Sequence, residues 1–139
     1  MKQTVEHNKG MCFEATTQSG HKIIMDGSPE HGGQNKGVRP MELVLSAIGG
    51  CSSFDVILIL KKSKQKITSC KVDISATRSD KVPAVFEKIQ LDFYISGIDL
   101  SRLRVEKAVN LSVKKYCSVI KMLEQTVDID YSLKIIEET

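Results

Sequence analysis

Four cysteines, Cys12, Cys51, Cys70 and Cys117, carry the most reactive side chains of the sequence. A thiolate is a nucleophile toward peroxides and disulfides, and its first oxidation product condenses reversibly with a second thiol. No two of them have CxxC spacing, and His7, His21 and His31 fall at no helical repeat and beside no cysteine. Zinc would need a site assembled from scattered positions, so no metal and no other cofactor is expected. Cys51 lies in the run Ser46-Ala47-Ile48-Gly49-Gly50-Cys51-Ser52-Ser53. Small side chains there leave room either for a substrate to reach sulfur or for another backbone to pack closely around an inert thiol. Cys117 follows Tyr116 far along the chain, and the spacing alone does not bring its Cα within the roughly 7 Å that a disulfide to Cys51 requires. Cys12 and Cys70 lie in alternating segments and read as packing residues.

The elements that must position these thiols follow from periodicity. Met11 to Asp26 alternates around Ser19-Gly20 and predicts a hairpin, and Gly27 to Val38 predicts a glycine-rich loop without the Gly-Lys-Ser/Thr ending of a phosphate loop. Pro40 opens a helix, Met41 to Leu60, that is apolar on nearly every side and must be buried all round. Its length invites a membrane reading, but Glu42, Asp55, two glycines and three serines make insertion costly. Lys61 to Lys66 offsets the negative end of the helix dipole and needs no nucleic acid to explain it.

Cys70 to Thr77 and Val85 to Ser96 alternate as two half-buried strands. Ser101 caps a helix with the stripe Val105, Ala108, Val109, Ser112, Tyr116, Val119, Ile120 and Leu123, and Val127 to Ile135 closes the chain as a strand. The order is α+β, without the βαβ alternation of a nucleotide-binding sheet, and a single domain over residues 1–139 is expected. Too few strands remain to cover an all-apolar helix, so a second subunit is the expected cover.

Composition agrees: 139 residues, 41% hydrophobic and 27% charged, suit a globular chain with an ordinary core. A net charge of +3 is spread along the sequence and argues against a dedicated nucleic-acid binder. Met1 to Gly10 is polar and shows no secretion signal, so a cytoplasmic location with reduced cysteines is the expectation.

Two motifs carry a resemblance. Arg39-Pro40-Met41-Glu42-Leu43-Val44-Leu45 leading to Gly49-Gly50-Cys51, and Lys115-Tyr116-Cys117-Ser118-Val119, resemble the osmotically inducible, organic-hydroperoxide-resistance (OsmC/Ohr) family, in its YhfA-like branch. The likeness covers essentially the whole chain. It implies an OsmC-like fold, with antiparallel sheets enclosing central buried helices in an intertwined homodimer. It also implies a thiol peroxidase without metal or haem, active in oxidative-stress defence. Cys51 would attack the small-molecule peroxide, Cys117 would resolve the product as a disulfide, and an external thiol or dithiol would reduce it. No nucleic-acid or membrane partner is implied.

The sequence departs from the peroxidase pattern at two places. Met41 stands where those members carry a glutamate, ten residues before the attacking cysteine, and no arginine precedes Arg39. Lys9 and Arg39 are the candidate cations, and Glu42 and Asp55 the candidate carboxylates. Asp55, at i+4, shares a helix face with Cys51; unpaired it would raise the thiol's pKa, and a cation from a partner subunit would neutralise it. The rival expectation is a weakly active redox-sensing or small-ligand-binding protein on the same fold.

Overall fold

The computed structural model describes all residues, 1–139. The chain divides into two compact units, Met1–Ser46 and Ala47–Thr139.

The first unit holds β1 (Gln3–His7), β2 (Phe13–Thr17) and β3 (Lys22–Met25), an antiparallel sheet in that order. The predicted hairpin is β2–β3, turning at Gly20 with φ +88°. The glycine-rich loop is ordered by one side chain. Asp26, 3% exposed, accepts backbone N–H groups from Gly27 at 2.7 Å, Lys36 at 3.1 Å and Gln34 at 3.2 Å. Burial works against its charged form, but those donors from Lys36, Gly27 and Gln34, with the Arg39 charge, outweigh it and hold the carboxyl below its usual range. Gly33 has to be glycine, because a Cβ there would overlap the Gly27 carbonyl.

The second unit is built on β5 (Phe86–Ile98), which lies between β4 (Lys66–Arg78) and β6 (Asp128–Glu137). Its register places Cys70, Val72, Ile74 and Ala76 opposite Ile95, Phe93, Leu91 and Ile89. Ile129, Tyr131, Leu133 and Ile135 of β6 face the same four residues from the other side. One apolar face therefore runs across three strands, and the four central side chains of β5 are buried. Each contributes roughly 1.5–3 kcal/mol by leaving water, more than any single propensity cost in this unit.

The last strand differs from the expected antiparallel pairing: β6 runs parallel to β5. Alternation reads identically in either direction, and the helical segment between the two strands is long enough for a parallel crossover. The unit thus contains one βαβ connection where none was expected.

Helix α1 (Pro40–Lys62) begins as predicted, with the Glu42 carboxylate accepting the Arg39 N–H at 2.8 Å, half of a capping box. Its buried residues, Ile48, Gly49, Ser52, Val56 and Leu60, form a stripe at helical spacing rather than a full circumference. Gly49 lies so close to β4 that a Cβ would crowd the end of Ile74, whereas one on Gly50 would meet nothing. The helix ends at Lys62, Lys64 just beyond it takes φ +58°, and Arg104 and Gln65 tie its end to the next helix through Ser63 and Ser101.

The second predicted helix is in fact three pieces: α2 (Arg102–Leu111), capped by Ser101, a π-helical turn (Ser112–Tyr116) and α3 (Ser118–Leu123). The extra residue of the π turn moves the stripe by one position. Tyr116, predicted to be buried, is 50% exposed, and Cys117 is 1% exposed.

The loop carboxylate gives the first test. A depressed carboxyl contributes stability that is fully present well above pH 3.9 and is lost as pH falls through the lower folded-state pKa. Asp26→Asn is expected to lower the unfolding midpoint at neutral pH and to flatten its decline in acid; thermal unfolding from pH 7 to pH 3 measures both, and parallel curves would contradict it.

Candidate functional site

Cys51 sits on the α1 turn beside the buried stripe, and Asp55 lies one turn further along. Cys117 comes from the opposite helical segment, at the junction of the π turn and α3, where its N–H reaches back to the Ser112 carbonyl at 2.9 Å. The two segments are tied next to the thiols. Ser112 Oγ donates to the Ser52 carbonyl at 2.8 Å, and Ser52 Oγ donates to the Ile48 carbonyl at 2.8 Å, all fully buried. The result is a cluster in which Cys51 Sγ, Cys117 Sγ and a carboxylate oxygen of Asp55 all lie within 4.8 Å of one another.

The two thiols are not equivalent. Cys51 is partly exposed, whereas Cys117 is buried and its sulfur accepts the Ile120 N–H at 3.5 Å. Burial pushes the Cys117 thiol up to about 11, the hydrogen bond and charge of Cys51 push the same way, and the N–H groups of Ile120 and Val119 only partly offset them. At neutral pH Cys117 is therefore a protonated thiol beside Cys51. Asp55 completes the cluster with an anomaly: its Oδ2 is buried and has no hydrogen-bond partner, and none of the four ion pairs of the chain includes it.

The remaining candidates have local roles elsewhere. Arg39 donates to Asn35 Oδ1 at 2.7 Å and to the Gly37 carbonyl at 3.1 Å, Glu42 caps α1, and Lys9 is exposed in the turn that leads to Cys12. Cys70 is outside the cluster, on β4 opposite Ile95; burial raises its pKa and a hydrogen bond to Ser53 counters this. It lines a groove of about 580 Å³ with Gly50, Ser53, Ile57 and Ile67. Phe54 and Leu58, 80% and 49% exposed, stand on the same wall. The groove was not legible in the sequence, because an all-apolar helix does not say which face its own chain leaves open.

A family model described as OsmC-like protein matches residues 33–132. The chain belongs to the OsmC-like protein family. Protein YhfA of Escherichia coli K12 is 40% identical over 136 residues, covering 98% of both chains. The crystal structure of an Aquifex aeolicus VF5 protein superposes with a TM-score of 0.87 at 31% identity, covering 99% of this chain and 97% of that one. The organic hydroperoxide resistance protein OhrB of Bacillus subtilis shares the fold alone, with a TM-score of 0.62 at 19% identity over 96% of this chain and 98% of its own. The α+β architecture of two sheets and helices is thus that of the OsmC-like family.

The raised thiol predicts an alkaline limb. Because its pKa is higher in the folded state, Cys117 contributes stability that is fully present below about pH 8.5 and lost as pH rises toward about 11. Urea unfolding of the reduced protein is expected to show that loss, and Cys117→Ala to show less of it; equal slopes would contradict the assignment.

Proposed function

We propose that this protein is a thiol-dependent peroxidase acting on organic hydroperoxides or hydrogen peroxide in oxidative-stress defence. The observation that carries the reading is the pairing of a partly exposed thiol with a buried, protonated one. The Cys51 thiolate attacks one peroxide oxygen, the O–O bond breaks, and the alkoxide or hydroxide leaves and takes up a proton. Cys51 becomes a sulfenic acid. The Cys117 sulfur then displaces its hydroxyl, which leaves as water with the Cys117 proton, and a disulfide forms. An external dithiol returns both electrons. Burial of Cys117 suits the resolving role, since it meets Cys51 and little else. A cytoplasmic location, where such reductants are kept, belongs to the same proposal.

A second reading, a redox sensor with slow turnover, is favoured by Met41, which stands where the peroxidase pattern has a glutamate. Stopped-flow kinetics separates the two. The peroxidase reading expects wild-type protein to reduce cumene hydroperoxide catalytically with a dithiol, at least about a hundredfold faster than free cysteine. Cys51→Ser would lose this entirely, and Cys117→Ser would stop at a trappable sulfenic acid. A wild-type rate no better than free cysteine supports the sensor, and unchanged turnover in Cys51→Ser overturns the choice of nucleophile.

The reading includes a second copy of the chain as cover for the groove. An 18-residue window of α1 has a mean hydropathy of 2.1 and only 28% of it is buried within one chain. The exposed wall of Phe54 and Leu58 is what a symmetric partner would bury. Sedimentation velocity is expected to find a dimer that Phe54→Glu dissociates; a monomeric wild type would contradict this.

A further inference from the structure

Three side chains that can each ligate a metal converge at the cluster, and no cation of the chain pairs with its carboxylate. Burying a carboxylate oxygen without a hydrogen bond is costly, and almost all such atoms in proteins find a partner or an ion. The Asp55 Oδ2 atom finds neither a donor nor a cation, although the chain carries 20 Lys and Arg residues. Its nearest chemistry is a pair of sulfur atoms. A divalent cation placed between them would pair with the carboxylate and, by displacing the thiol protons, bind both sulfurs.

The dimensions agree. Tetrahedral zinc takes sulfur at about 2.3 Å and carboxylate oxygen at about 2.0–2.2 Å, which separates neighbouring ligand atoms by roughly 3.5–3.8 Å. The three donors here lie within 4.8 Å of one another, so each pair has to close by at most about 1.3 Å. Cys51 and Asp55 are one helical turn apart on α1, a spacing that suits two ligands on one face. Cys117 is presented from the other segment by the π turn. Two sulfurs and one oxygen are a borderline-soft set, which favours zinc over magnesium or calcium.

We propose that Cys51, Cys117 and Asp55 of the reduced protein form a three-donor site for a divalent ion of the zinc class, with a fourth position open on the Cys51 side. The site does not rest on the peroxidase reading; it needs only reduced thiols. It makes metal and peroxide mutually exclusive, because oxidation removes two of the three ligands. In that step two thiolates give two electrons to the peroxide, the O–O bond breaks, an S–S bond forms, and two protons from water complete the alcohol and a water molecule as the ion departs.

Cobalt(II) is the probe, since it gives a thiolate-to-metal charge-transfer band and the intense visible bands of a tetrahedral site. Anaerobic titration of the reduced, full-length protein is expected to saturate at one cobalt per chain, with both signals, and zinc is expected to displace it. Cys51→Ser and Cys117→Ser should each remove at least half of the charge-transfer intensity. Asp55→Asn, which keeps both thiols and removes only the orphaned charge, should weaken zinc binding at least about tenfold, and Asp55→Ala should match it should either variant fold poorly by circular dichroism. Cys70→Ser should bind as wild type does, and prior oxidation with one equivalent of hydrogen peroxide should abolish the spectrum. Absence of the charge-transfer band in wild type overturns the proposal, as do unchanged zinc affinity in both Asp55 variants and a band that depends on Cys70. A protein that binds cobalt in this way but turns over no peroxide leaves the metal site standing and removes the peroxidase reading alone.

Discussion

The site depends on holding the two helical segments together at a distance set by small groups. Gly49 lets α1 approach β4, and the buried Ser112 hydroxyl reaches the Ser52 carbonyl one residue from Cys51. A π turn, a rare departure from the α-helix, then rotates Cys117 inward. Each of these is locally unfavourable or neutral: glycine in a helix costs about 1 kcal/mol relative to alanine, and a buried serine is useful only if its hydroxyl is bonded. The four buried side chains of β5 more than offset such costs. The core is therefore what permits an irregular helical junction beside two thiols.

Charge is the second constraint. Desolvation holds Cys117 protonated, and Asp55 adds a carboxylate oxygen without a partner to the same small space. A cluster of this kind has few ways to lower its energy: keep its protons, join its sulfurs, or take up a cation. The proposed peroxidase cycle and the proposed metal site are the second and third of these, so one arrangement of three residues underlies both.

Much of this was legible in the sequence. Alternation located β4, β5 and β6 and the residues that face their common apolar side, since period-two burial is a local property. Pro40 marked the start of α1, and the i+4 spacing placed Asp55 on the face of Cys51. Three things were not legible. The parallel pairing of β6 depends on the path of the connection, which an alternating pattern does not encode. The inward turn of Cys117 depends on one π-helical hydrogen bond, and the regular stripe wrongly selected Tyr116. The groove beside Phe54 depends on which face of an all-apolar helix its own chain leaves uncovered.

The pairing of Cys51 with Cys117, rather than with Cys70 across the groove, is the central claim. Peptide mapping after oxidation with one equivalent of peroxide tests it most directly, with remaining thiols alkylated before proteolysis. The account predicts a single linked species joining the Cys51 and Cys117 peptides, with Cys12 and Cys70 alkylated. A bridge from Cys51 to Cys70, or an oxidised Cys51 with Cys117 still free, would contradict it.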